Sequence, residues 1–187
     1  MRARAASAEA TRQRILEAAV AEVWNRRVTD VRLENIAAGA EVTVQTVLRV
    51  FGTRARLIDA AWEVTGVRIR EQREGAPPGD ISGTIKALYD HYEEIGDFVI
   101  RNLAEEEQLP ETKEWLTHGR TAHRRSMLRQ FAPWLEARNS RERREILDCL
   151  VAACDVYTWK LLRRDMGRSR RDAEARIQRI VSGILGG

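Results

Sequence analysis

The sequence predicts an all-α protein of about nine helices. Apolar residues recur at three- and four-residue spacing along nearly the whole chain. No segment alternates apolar and polar residues as a half-buried strand would, and no repeat of solenoid period is present. The 187 residues are 43% hydrophobic and 32% charged, the balance of a chain that can bury a core.

The first ten residues, rich in Ala and Arg, are read as a frayed end. A first helix follows from Thr11 to about Trp24, with Ile15, Ala19 and Val23 one turn apart. Asn25, Arg26 and Arg27 interrupt the period. A short second helix spans about Val31 to Ala38, with Asp30 as its N-cap and Leu33, Ile36 and Ala37 inward. Gly39 to Val42 is a tight connection. Thr43 caps a third helix, Val42 and Val47 stand at hydrophobic-staple positions, and Phe51-Gly52 closes it. Thr53 caps a long fourth helix running to about Glu74, apolar in its first half through Leu57, Ile58, Ala61 and Trp62.

Gly75 to Asp80, with two prolines and two glycines, is the strongest breaker. Beyond it Ile81, Ile85, Leu88, Tyr92 and Ile95 form one helix face, which Gly96-Asp97 is expected to end. Phe98 to about Gln108 reads as a shorter helix. Pro110 opens the next, which extends towards Leu135 with Pro133 as the place where it can bend. Asn139-Ser140 is a turn, Ser140 to Arg164 one long helix, and Gly167 to Ser169 a turn before a last helix carrying Ala173, Ile177, Ile180, Val181 and Ile184.

Three short helices with tight turns near a basic N-terminus have the layout of a DNA reader. Val47, Val50 and Phe51 can pack behind the third helix, leaving Val44, Gln45, Thr46 and Arg49 outward. Gln can bond an adenine edge, Arg a guanine edge, and the Thr methyl can meet thymine. Between Met1 and Arg56 stand Arg2, Arg4, Arg12, Arg14, Arg26, Arg27, Arg32, Arg49, Arg54 and Arg56, against Glu9, Glu17, Glu22, Asp30, Glu34 and Glu41. That excess equals the +4 of the whole chain, so the remainder is balanced. Arg32, Thr43, Val44, Gln45, Thr46, Arg49 and Arg54 are the candidate DNA-binding residues. The expected division is 1–52 for a helix-turn-helix domain and 53–187 for a larger helical domain.

The stretch Thr11 to Glu63 resembles the tetracycline-repressor (TetR) family. The residues that carry the likeness are Ile36-Ala37, Ala40-Glu41-Val42-Thr43, Thr46-Val47-Leu48-Arg49-Val50-Phe51 and Thr53-Arg54. Tyr157 to Asp165 is a second, weaker likeness. Where the family has a turn Gly, a Tyr and a His or Tyr, this chain has Glu41, Leu48 and Val50. The resemblance implies a transcriptional repressor, released from a near-palindromic double-stranded DNA operator by a small molecule. It also implies a homodimer built by the last two long helices; the faces Leu147, Leu150, Cys154, Tyr157, Leu161 and Ile177, Ile180, Ile184 suit that role. A different reading stands beside it: a helical dimer that binds a ligand or protein partner and has lost DNA binding through Glu41, Leu48 and Val50.

Tyr89, Tyr92, Phe98, Trp115, His123, Met127 and Trp159 are large side chains with a few polar tips, candidates to line a pocket for an apolar or aromatic ligand. Ordinary core explains the same stripe. His118 and His123, five residues apart, do not share a helix face, so no metal site is expected. No phosphate loop, nucleophile elbow or catalytic Cys pattern occurs, and neither an enzyme nor a cofactor is expected. Cys149 and Cys154 are read as a reduced pair, Glu105 to Glu107 as a solvated face. With no signal-peptide core and no membrane-length apolar run, the protein is read as cytoplasmic and not membrane-bound.

Overall fold

The computed structural model describes residues 2–73, 75–107 and 110–186; the side chains of 2–5, 28, 68, 70, 72, 73 and 110–112 fall outside the description. Those residues are helical with no strand, as the periodicity predicts. The expected helix ends at Glu74 and Gln108, and the side chains of Arg2 and Arg4, lie outside the described residues. None of the described helices is long and apolar enough to cross a membrane. The chain forms two compact units, Met1–Arg68 and Ile69–Gly187.

The first unit contains α1 (Arg2–Asn25), a short 3₁₀ turn (Val28–Asp30), α2 (Leu33–Gly39), α3 (Val44–Phe51) and most of α4 (Arg54–Arg73). Far from fraying, the first residues already belong to α1. Its face Ile15, Leu16, Ala19 and Val23 is buried. α1 packs on α2 and α2 on α3. Asp30 does not cap α2; it belongs to the 3₁₀ turn, and Arg32 stands at the cap position without a side-chain cap bond. α4 contributes Leu57, Ile58, Ala61 and Thr65 to the buried set. Thr65 Oγ1 accepts from Trp24 Nε1 at 3.3 Å and donates to the Ala61 carbonyl, tying α1 to α4. This apolar half of α4 carries the first unit to residue 68, whereas the turn at Gly52-Thr53 suggested an earlier boundary.

The second unit contains the end of α4, then α5 (Ile81–Ala104), α6 (Pro110–Gln130), the single turn α7 (Ala132–Leu135), α8 (Ser140–Ala153), α9 (Val156–Lys160) continuing as a π turn (Leu161–Asp165), and α10 (Arg170–Gly186). α5 is its centre, packed by α6, α9 and α10, with α8 against α6 and α10. The local starts follow the sequence chemistry. Asp80 caps α5 by accepting from Gly83 N at 2.8 Å. Asn139 and Glu142 form a reciprocal capping box on α8. Ser169 Oγ accepts from Asp172 N at 3.1 Å and caps α10.

Three expected boundaries move, each for a tertiary reason. Gly96 does not end a helix, because α5 runs through it. A Cβ at Gly96 would stand 2.5 Å from Cζ3 of Trp159, so the glycine is a notch for the indole. Second, α6 stops at Gln130, before Pro133, and Pro133 sits in the first turn of α7, where its missing N–H costs nothing. The Gln130 carbonyl released there accepts from Gly79 N at 2.9 Å. Third, the expected helix from Ser140 to Arg164 breaks at Cys154-Asp155. Asp155 caps α9 by accepting from Tyr157 N at 2.9 Å. The carbonyls left at the end of α8 find side chains: Thr158 Oγ1 donates to Ala152 O, and Tyr92 OH to Cys154 O.

Trp159, 1% exposed, is the hub of the second unit. Its Nε1 donates to Glu93 Oε1 at 3.1 Å, and the Arg164 guanidinium lies 4.5 Å from its ring centre. Arg163 also holds Glu93 through Nε and Nη2, and Arg164 clasps Asp97. These guanidinium bonds hold the Glu93 and Asp97 carboxyls below their ordinary range, against the opposing effect of burial.

Candidate nucleic-acid interface

The turn between α2 and α3 is the four residues Ala40 to Thr43, closed by main-chain bonds. Glu41 N donates to Ala38 O and Val42 N to Ala37 O. Glu41 takes φ 54°, the only positive φ at a non-glycine among the described residues. An L side chain pays about 1 kcal/mol there. Thr43 then stops the turn and starts α3: its backbone is extended, and its Oγ1 accepts from Thr46 N at 3.2 Å. Gly52, at φ 81°, ends α3 as only glycine readily does.

α3 has two distinct faces. Val47 and Phe51 are buried, and each contributes about 1.5–3 kcal/mol of apolar burial. The Arg12 guanidinium lies 5.3 Å from the Phe51 ring centre and pins α1 to the end of α3. On the opposite side Gln45, Leu48 and Arg49 are exposed, spaced three and four apart and therefore side by side. Thr43 and Arg32 are exposed as well.

Val44 and Thr46, expected to face outward, are half-buried. The Thr46 hydroxyl lies 3.1 Å from that of Thr43, so it is engaged in the cap. Val50, expected behind the helix, is also half-buried. Arg54 is half-buried, and its Nε donates to the Val31 carbonyl at 3.1 Å, bracing the chain before α2. What the sequence reading missed is Leu48, taken there only as a lost hydrogen-bonding group. Its spacing from Gln45 was the available signal that both share a face.

The candidate pocket residues are core. Tyr89, Tyr92, Phe98, His123, Met127 and Trp159 are buried and Trp115 is half-buried. Phe98 and Trp115 meet edge to face at 5.4 Å between centres. Their polar tips largely serve the fold: Tyr92 and Trp159 as above, and His123 Nε2 at 3.2 Å from Val151 O. The Thr84 and Tyr89 hydroxyls are buried without a hydrogen-bond partner, and burial pushes the Tyr89 phenol well above its usual range. Thr84, Leu88, Ser126 and Met127 line a crevice too narrow to hold even a water molecule.

The candidate dimer residues divide. Leu147, Leu150, Cys154 and Ile177 are buried within the chain, and Ile184 is half-buried against the same core. Burial pushes the Cys154 thiol up to about 12, which makes it an inert packing group. Tyr157, Leu161 and Ile180 are 56%, 50% and 46% exposed, large apolar side chains left to the outside. Among the described residues no cluster of His, Cys, Asp and Glu could hold a metal ion.

In comparisons with known proteins, no family model, no curated protein and no solved structure matches this chain.

Proposed function

We propose that this protein is a DNA-binding transcriptional regulator of the TetR type, a repressor that a small molecule releases from a near-palindromic operator. The observation that carries this reading is α3. It is a short helix with a side-chain cap, anchored by Val47 and Phe51, and it presents Gln45, Leu48 and Arg49 to the outside. Gln45 suits adenine and Arg49 guanine, both by paired hydrogen bonds. The arginine excess of the first 56 residues suits phosphate, with Arg32 and Arg49 exposed for that purpose.

The exposed Tyr157, Leu161 and Ile180 support a second copy of this chain as partner, since a near-palindrome calls for a twofold dimer. A ligand acts in this scheme only by binding the released state better than the DNA-bound one. The unpartnered Thr84 and Tyr89 hydroxyls are the polar groups it would find in the second unit.

The test is binding of the full chain to DNA upstream of its own gene, followed by fluorescence anisotropy across a salt series. Tight binding that weakens steeply with salt is expected. Gln45→Ala should weaken the specific site alone, while Arg32→Ala should weaken specific and random duplexes alike. Weak binding that is flat with salt refutes the regulator and favours the ligand- or partner-binding dimer.

A further inference from the structure

The exposed face of α3 holds one residue that neither hydrogen bonds nor charge account for. Leu48 is 39% exposed, on a helix whose other side already buries Val47 and Phe51. Gln45 lies three residues before Leu48 and four before Arg49, so its amide has the apolar side chain on one flank and the guanidinium on the other. The other side chains on α3 that carry methyl groups are less open: Val44, Thr46 and Val50 are half-buried and Val47 is buried.

In a major groove the one apolar feature that distinguishes a base edge is the C5-methyl of thymine. We propose that Leu48 is a specificity-determining residue that reads a thymine methyl, so that each half-site requires a thymine beside the bases read by Gln45 and Arg49. This deepens, and rests on, the DNA-binding reading of α3. The net positive charge of the first 56 residues, with Arg49 exposed on this same face, favours duplex DNA as the occupant over an apolar protein partner.

The test uses the full chain and a duplex selected by it from a random pool. Each thymine of the selected site is replaced in turn by deoxyuridine, which removes only the methyl group. At one position per half-site the wild-type protein should lose affinity about fourfold, the factor for burying one methyl-sized group. Leu48→Ala should bind the thymine and uracil duplexes equally, with an unchanged melting temperature and an unchanged mass in solution. If the wild-type protein is indifferent to every replacement, or if Leu48→Ala keeps the same sensitivity, the methyl contact is wrong while DNA binding stands. If Leu48→Ala changes the mass, the side chain serves a protein contact and the assignment falls. If no duplex is selected at all, the DNA-binding reading falls and takes this one with it.

Discussion

Replacing Gly96 with alanine should destabilise the second unit, although the same change elsewhere in a helix is favourable. Alanine is preferred to glycine in a helix interior by about 1 kcal/mol. At Gly96 a Cβ would lie 2.5, 2.6 and 2.9 Å from Cζ3, Cη2 and Cε3 of Trp159, closer than carbon atoms tolerate. The indole is rigid and 1% exposed, so it cannot turn aside into solvent. Overpacking of this kind costs about 1–3 kcal/mol. Shifting the ring also strains the bond from Nε1 to the Glu93 carboxylate, a contact to a charged group worth about 1.5–3 kcal/mol. The net expectation is a loss of about 2–3 kcal/mol. At about 2–4 °C per kcal/mol for a chain of this size, the melting temperature falls by about 5–10 °C. Gly119, in α6, is the control, because a Cβ there meets nothing within 4 Å. Gly119→Ala should raise the melting temperature by about 2–4 °C. Far-UV circular dichroism melts of the two variants decide the matter. Equal stability of Gly96→Ala and Gly119→Ala would refute the notch. The change bears on the proposed subunit face, because Trp159 anchors α9 and the π turn after it, which carry exposed Tyr157 and Leu161.

Glu41→Gly should relieve the positive φ and stabilise the first unit by about 0.5–1 kcal/mol; a lower melting temperature would contradict the strain at that turn. Leu161→Asp places a charge on the proposed subunit face, so light scattering should report a dimer for wild type and a monomer for the variant. An unchanged dimer moves the interface elsewhere. The Glu93 pKa is held down in the folded chain, chiefly by Arg163, so its contribution to stability is present above the ordinary glutamate value of 4.5. That contribution is lost as pH falls through the depressed folded value. Between about pH 5 and 3 the melting temperature of wild type should therefore fall more steeply than that of Glu93→Gln, and parallel curves would remove Glu93 from acid sensitivity.

Much of the architecture was legible in the residues because helix periodicity and caps are local. Thr43, Thr53, Asp80, Asn139 and Ser169 each sit where a short polar side chain can take an orphan backbone N–H, and each does so. The two faces of α3 follow from the same period, since residues three and four apart must share a side. The sequence by itself therefore determined the all-helical class, most of the helix starts and the outward position of Gln45 and Arg49.

Tertiary structure alone decided which local signals were overruled. Gly96 reads as a breaker by propensity, yet it is required by an indole 63 residues further along the chain. The helix from Ser140 breaks at Cys154-Asp155, where Tyr92, on another helix, takes the freed carbonyl of Cys154. Arg54 reads as an outward base, yet it is half-buried with its Nε donating to the Val31 carbonyl. In each case the deciding partner is distant in sequence, and a period of three or four residues carries no information about contacts made across the fold. The same reason separates exposed Leu161 and Ile180 from buried Leu147 and Ile177, which the helical pattern alone makes alike.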